Sequence, residues 1–176
     1  MYDQPKNDSR MLEDSLIVFD FLVEMLKFLP ENIFIFGRSI GTGPATYLAS
    51  QRKKCKMLIL FSPFTNLKAI VKDYVSILSV FVRDRFPNIV HIKEVEAPLF
   101  ILHGKLDKIV KVEHSIQLHK QAKTKYKHLV IRDHMTHNQY KLYDDLIIPL
   151  CQFLKIIQLN KNYEVRNSRL RGEARK

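Results

Sequence analysis

Four short apolar runs, spaced by longer helix-like stretches, constrain this chain more than any other feature of its sequence. They are Asn32–Phe36 (NIFIF), Lys56–Phe61 (KMLILF), Pro98–Leu102 (PLFIL) and His128–Ile131 (HLVI). Each is almost uniformly apolar, without polar alternation, which is the pattern of a strand buried on both faces. The stretches that follow, Gly41–Ser50, Thr65–Arg83, Val112–Lys123 and Asn138–Leu159, have lengths suited to helices. Another helix precedes them: in Met11–Phe28 the residues Leu12, Leu16, Phe19, Val23 and Leu26 recur at spacings of three and four, and Pro30 ends the run. Strand followed by helix, repeated four times, predicts an α/β chain. Parallel strands joined by right-handed crossovers form a doubly wound sheet of about four strands flanked by helices.

At 176 residues the chain suits one domain, and 46% hydrophobic residues suffice for a core. Five Gly and seven Pro exclude collagen-like and low-complexity classes. The formal net charge is +11, and part of it is concentrated after Leu159, where residues 160–176 carry six basic against two acidic residues. This divides the chain into a folded portion, 1–159, and a basic mobile tail, 160–176. A solvated end is the plainest reading of that tail. An anionic membrane surface is a second, and nucleic acid a third that lacks any accompanying zinc finger, recognition helix or aromatic platform. No nucleic acid is therefore expected as a partner. Cys55 and Cys151 are too few for a disulfide scaffold and lie in apolar surroundings, which predicts free buried thiols and a reducing, cytoplasmic setting. The first ten residues have no apolar signal segment, and no apolar run reaches membrane-spanning length.

The chemistry is announced by Gly37-Arg38-Ser39-Ile40-Gly41, a G-x-S-x-G placed directly between the first strand and the following helix. A nucleophile elbow is a tight, strained strand-to-helix turn. Gly37 and Gly41 are expected to remove Cβ atoms that would clash there, and the helix N-terminus faces the developing oxyanion. A serine hydroxyl needs a base oriented by a carboxylate. Asp107 follows the third strand in His103-Gly104-Lys105-Leu106-Asp107. Two histidines, His134 and His137, follow the fourth in Arg132–Asn138. In a parallel sheet these strand ends share one edge, where ligands bind, and the chain order Ser, Asp, His matches that of α/β-hydrolases. His103 and Gly104 read as strand-end turn chemistry. His134 and His137 form an i, i+3 pair without a third ligand, so no metal and no cofactor are expected.

The segments GRSIGTGPATYLAS, SPFTNLKAIV, RFPNI, HGKLDKIV and THNQY resemble the α/β-hydrolase superfamily over about residues 10–158. Within it they look like the depalmitoylase-type hydrolase-domain proteins, with serine-peptidase-like proteins as more distant relatives. The resemblance implies Ser39 as nucleophile, Asp107 as triad acid and His137 as base, since His137-Asn138 matches the family's His-Asn, and it leaves His134 as the rival. It implies the Ile40 N–H as one oxyanion donor. The family's Gly-x-Gly-His-Asn is here His134-Met135-Thr136-His137-Asn138, without either glycine.

The resemblance further implies a partial hydrolase fold whose front half of the sheet is missing. That would leave NIFIF as an apolar edge and remove the second oxyanion donor, at about 2.7–4 kcal/mol. A lid is implied between Phe64 and Ile92. Its apolar run Tyr74–Val82 reads as a helix packed on the sheet before it reads as an acyl-chain pocket. The expected activity is a serine hydrolase cleaving an ester or thioester, akin to a palmitoyl-protein thioesterase, on an acylated protein or lipid ester. The alternative is a catalytically incomplete hydrolase-fold binding module. The depalmitoylase-like relatives attach to membranes through an N-terminal cysteine cluster, and this sequence has none.

Overall fold

The computed structural model describes residues 7–74 and 85–173. Four strands, β1 (Phe34–Arg38), β2 (Met57–Phe61), β3 (Leu99–Gly104) and β4 (Lys127–Arg132), form one parallel sheet in the order β1-β2-β3-β4. The helices are α1 (Asn7–Asp20), α2 (Thr42–Gln51), α3 (Leu67–Tyr74), α4 (Asn88–His91), α5 (Val112–Gln121) and α6 (Ile148–Glu173). The chain divides into two compact units, residues 1–140 and 141–176. The first holds the whole sheet.

Every residue of β2 and β3 is buried, as their apolar runs require, and β3 extends two residues past its run to bury His103 and Gly104 as well. β1 and β4 are the edges, and their burial is partial. On β1, Ile35 faces the core, whereas Phe34 and Phe36 are 45% and 52% exposed. The core joins Phe19 of α1 and Ala45, Leu48 and Ala49 of α2 to Ile35, Leu58, Leu60, Leu99 and Ile101 of the strands and Leu118 of α5. Each fully buried Leu or Ile there contributes about 1.5–3 kcal/mol. A two-pronged ion pair from Arg52, which follows α2, to Asp20 at the end of α1 ties these helices together. That bond outweighs desolvation and holds the Asp20 carboxyl below its usual range.

β1 begins and ends two residues later than the apolar run suggests. Gly37 and Arg38 remain in the ladder, paired with Leu60 and Phe61. The first helix changes to a π-helical turn over Phe21–Met25, and another such turn, Leu142–Ile147, leads into α6 in the second unit. The α6 backbone continues through Leu159 to Glu173, across the boundary expected from composition. The one proline of α6, Pro149, sits in its first turn, where its missing N–H costs no helical bond, and the first glycine is Gly172, so nothing between them breaks the backbone hydrogen bonding. Cys55 is buried, as expected, and burial raises its thiol to about 11. Cys151 is exposed, contrary to expectation, because it falls on the face of α6 that also carries the exposed Gln152, Lys155 and Ile156. Most of the Tyr74–Val82 run lies outside the described residues. Among the described residues no helix is long and apolar enough to cross a membrane.

Candidate active site

Ser39 leaves β1 with φ of 50°, a left-handed conformation that a residue with a Cβ adopts only under local constraint. This is the strained strand-to-helix turn that the motif demands. Its two glycines are not equivalent. A Cβ on Gly37 would lie 2.6 Å from the Gly41 carbonyl oxygen and 2.7 Å from the Ala45 Cβ, so α2 can leave the strand this sharply only over a glycine. Gly41 does not meet the expectation. Its φ is −63° and a Cβ there would have nothing within 4 Å among the described residues, so neither space nor backbone geometry within the described fold requires it to be glycine. Ile40 sits in the 3-10 turn Ser39–Gly41 that opens α2. The N–H groups of a first helical turn have no intrahelical acceptor.

The Ser39 hydroxyl lies 3.0 Å from His137 Nε2, and His137 Nδ1 lies 2.8 Å from Asp107 Oδ2. The hydroxyl, imidazole and carboxylate come from three separate strand ends and form one hydrogen-bonded chain. An ionised carboxylate only accepts, so Nδ1 carries the proton and Nε2 is left to accept from Ser39. His134, the rival histidine, is exposed and takes no part in this chain. Among the described residues no cluster of His, Cys, Asp and Glu is arranged to hold a metal.

Asp107 is held from all sides. Its Oδ1 accepts the backbone N–H groups of Ile109 and Val110 at 2.8 Å each. Its Oδ2 faces His137, and also His103 Nε2 at 3.4 Å. Burial alone would raise the Asp107 pKa, but the bonds from His103, Val110, His137 and Ile109 outweigh it and hold the carboxyl well below its usual range. These bonds favour the ionised carboxylate that faces His137.

His103 therefore does more than shape a strand end. It is fully buried on β3. Its Nε2 lies 2.8 Å from the Val110 carbonyl and its Nδ1 2.6 Å from Ser115 Oγ. The carbonyl can only accept, so Nε2–H is the donor and the Ser115 hydroxyl donates to Nδ1. Nothing in the sequence spacing marks this pairing apart from the four residues separating His103 from Asp107. Gly104 has a steric role: a Cβ there would fall 2.3 Å from the Met135 carbonyl oxygen. That carbonyl accepts the Leu106 N–H at 3.0 Å, which seats the His137 loop against β3.

A second histidine cluster lies away from Ser39. His114 of α5 accepts the Thr65 N–H at Nδ1 and faces Asp73 of α3 at 3.2 Å through Nε2. It bridges α5 to α3 and to the turn before α3. An open cavity of about 560 Å³ adjoins His137, lined by Leu106, Lys108, Ile109, Thr136, Asn138 and Gln139. Leu106 and Ile109 are half exposed within it.

No family model matches the chain. Over 126 residues, 71% of its length, the chain is 32% identical to alpha/beta hydrolase domain-containing protein 17C of Xenopus tropicalis and spans 39% of that protein. It is 31% identical over 125 residues to the human protein 17B, of which it spans 42%. The chain thus covers about two fifths of these curated relatives. Among solved structures, acetyl xylan esterase 1 of Thermoanaerobacterium superposes with a TM-score of 0.63 at 14% identity, over 78% of this chain and 50% of the esterase. A cold-adapted esterase from an Arctic intertidal metagenomic library superposes at 0.62 and 15% identity, over 82% of this chain and 57% of that one. Sequence likeness across 71% of its residues, laid on a parallel sheet whose first strand turns through Ser39 into α2, gives this chain a partial α/β-hydrolase fold and makes it a homologue of the alpha/beta hydrolase domain-containing 17 proteins.

Proposed function

We propose that the chain carries the nucleophile, base and acid of a serine hydrolase that cleaves an ester or thioester by acyl transfer. The substrate class is an S-acylated protein or a lipid ester, as the relatedness to the depalmitoylase-like branch suggests. The observation that carries this reading is the Ser39–His137–Asp107 hydrogen-bond chain set on a strained elbow. In the proposed cycle, Ser39 Oγ attacks the acyl carbonyl carbon while His137 Nε2 takes its proton, and the oxyanion meets the Ile40 N–H. Collapse of the tetrahedral species expels the thiolate or alkoxide, which receives the proton from Nε2. Water, deprotonated by the same nitrogen, then releases the acid and restores Ser39. Asp107 keeps the Nδ1 proton in place and stabilises the imidazolium. The cavity beside His137 is where a leaving group has room, on an aliphatic floor with Lys108 at its rim.

A second reading, a hydrolase-fold module without turnover, draws on the exposed Phe34 and Phe36 of the edge strand β1 and on the partial span of the relatives. Labelling with a fluorophosphonate separates the two. The enzyme reading expects label on the folded chain that Ser39→Ala and His137→Ala both abolish. A folded chain that takes no label, with detergent or without, removes that reading and leaves the binding module.

A further inference from the structure

We infer that Arg38, the residue between Gly37 and the elbow serine, is the positioning residue of His137, an inference that rests on the proposed role of that histidine. Arg38 is the last residue of β1, and its side chain crosses to the loop after β4. Its Nη2 donates to the His137 carbonyl at 2.7 Å and to Asn138 Oδ1 at 2.9 Å. The guanidinium carbon stands 5.5 Å from the ring centres of both Phe61 and Tyr140. Those rings meet edge to face with centroids 4.8 Å apart. A cation over two aromatic rings is favoured electrostatically and held sideways by both. The planar fork cannot turn without losing one contact or the other.

The consequence lies in what else fixes His137. Its ring is oriented by Asp107, but its backbone belongs to the turn Thr136–Gln139, closed by the bonds Thr136 N–H to the Gln139 carbonyl and Gln139 N–H to Thr136 Oγ1. That turn needs an anchor to the strand that carries Ser39. Arg38 supplies it, because the residue adjacent to the nucleophile grips the main chain of the base. Motion of the His loop is thereby referred directly to the elbow, and Arg38 spans the two segments whose spacing sets the 3.0 Å between Oγ and Nε2. Among the described residues the Arg38 Nε is buried without a protein acceptor.

The test uses the full chain with Arg38→Ala and Arg38→Lys. Three readouts are needed: the rate of Ser39-dependent fluorophosphonate labelling, the thermal midpoint, and the NMR signal of the His137 Nδ1 proton, assigned by its loss in His137→Ala. Arg38→Ala is expected to slow labelling by about 10- to 100-fold, the cost of misplacing a reacting group by about 1 Å, and to broaden the Nδ1 proton signal. Added guanidinium ion at millimolar concentration should restore part of the rate in Arg38→Ala and nothing in Ser39→Ala. Arg38→Lys, which keeps the charge but not the fork, should fall between. Labelling of Arg38→Ala at the wild-type rate overturns the inference. So does a slowed rate that guanidinium does not recover and that simply follows a lower thermal midpoint. If the wild-type chain takes no label, the hydrolase proposal fails by itself, and the Nδ1 signal still decides: unchanged in Arg38→Ala, it overturns the positioning role, and broadened, it upholds it.

Discussion

Replacing the two motif glycines one at a time should give opposite results. In Gly37→Ala the new Cβ would stand 2.6 Å from the Gly41 carbonyl oxygen, 2.9 Å from its carbon and 2.7 Å from the Ala45 Cβ. Two of these three atoms are backbone, so relief requires α2 to move away from β1 and not merely a rotamer change. Overpacking of this kind costs about 1–3 kcal/mol. At about 2–4 °C per kcal/mol for a domain of this size, the thermal midpoint should fall by about 2–12 °C. Because Ser39 lies between strand and helix, the same shift should slow fluorophosphonate labelling by about 10- to 100-fold. Gly41→Ala meets nothing within 4 Å among the described residues, at a φ of −63°. It removes backbone freedom from the unfolded chain and should stabilise by about 0.4–1 kcal/mol. Circular dichroism melts and labelling rates of the two variants settle the matter. A Gly37→Ala protein that melts with the wild type, or a Gly41→Ala protein that loses as much as Gly37→Ala, would refute the argument.

His103→Phe keeps the volume of the buried ring but leaves Ser115 Oγ and the Val110 carbonyl without their partner and removes one donor from Asp107. At about 1–3 kcal/mol for each buried group left unsatisfied, chemical denaturation should show a loss of about 2–6 kcal/mol, and a loss below about 0.5 kcal/mol would contradict the assignment. Stability should also fall as pH drops from about 7 to 5. His91, His114 and His119 are each pushed below the ordinary 6.5 by desolvation, so the unfolded chain binds more protons in that range and acid favours it. Stability from this source is complete above about pH 6.5 and lost as pH falls toward the lowered folded values. Asp107 adds nothing in this window, since its carboxyl is depressed and it titrates only in stronger acid. A thermal midpoint that is flat or rises between pH 7 and 5 would refute this account.

The strands that the sequence marks most clearly are the central ones. β2 is covered on both sides and wholly apolar, so run and element nearly coincide, whereas β3, equally covered, runs on past Leu102 to take in His103 and Gly104. β1 was misplaced by two residues because a glycine reads as an end of structure, whereas Gly37 stays in the ladder and is glycine for the sake of Ala45 and Gly41. Ser39, Asp107 and His137 are legible because strand ends of a parallel sheet share an edge, and chain order then ranks the candidates. What holds them is not legible. Arg38 and its acceptor on His137 are 99 residues apart, and no local pattern encodes a contact at that separation. The π-helical turns and the continuation of α6 past Leu159 were missed for a related reason: periodicity and composition register which residues are apolar or charged, not where backbone hydrogen bonding shifts register or persists.

The absence of glycines before His137 follows from the same geometry. A loop that must lie close to the sheet needs backbone without Cβ at the point of contact, but either partner can provide it. Here the allowance is on the strand: Gly104 admits the Met135 carbonyl to a position where any Cβ would be 2.3 Å away, and Met135 itself is fully buried as the loop's anchor. The loop side can then carry full side chains, and Thr136 uses its hydroxyl to close the turn on the Gln139 N–H. Gly104 and the Met135 anchor set the depth of the His loop, while the Arg38 fork sets its lateral position against Ser39. Two neighbours of the Ser39–His137–Asp107 hydrogen-bond chain, one on β3 and one on β1, thus do for His137 what a glycine-rich loop would do from within its own sequence.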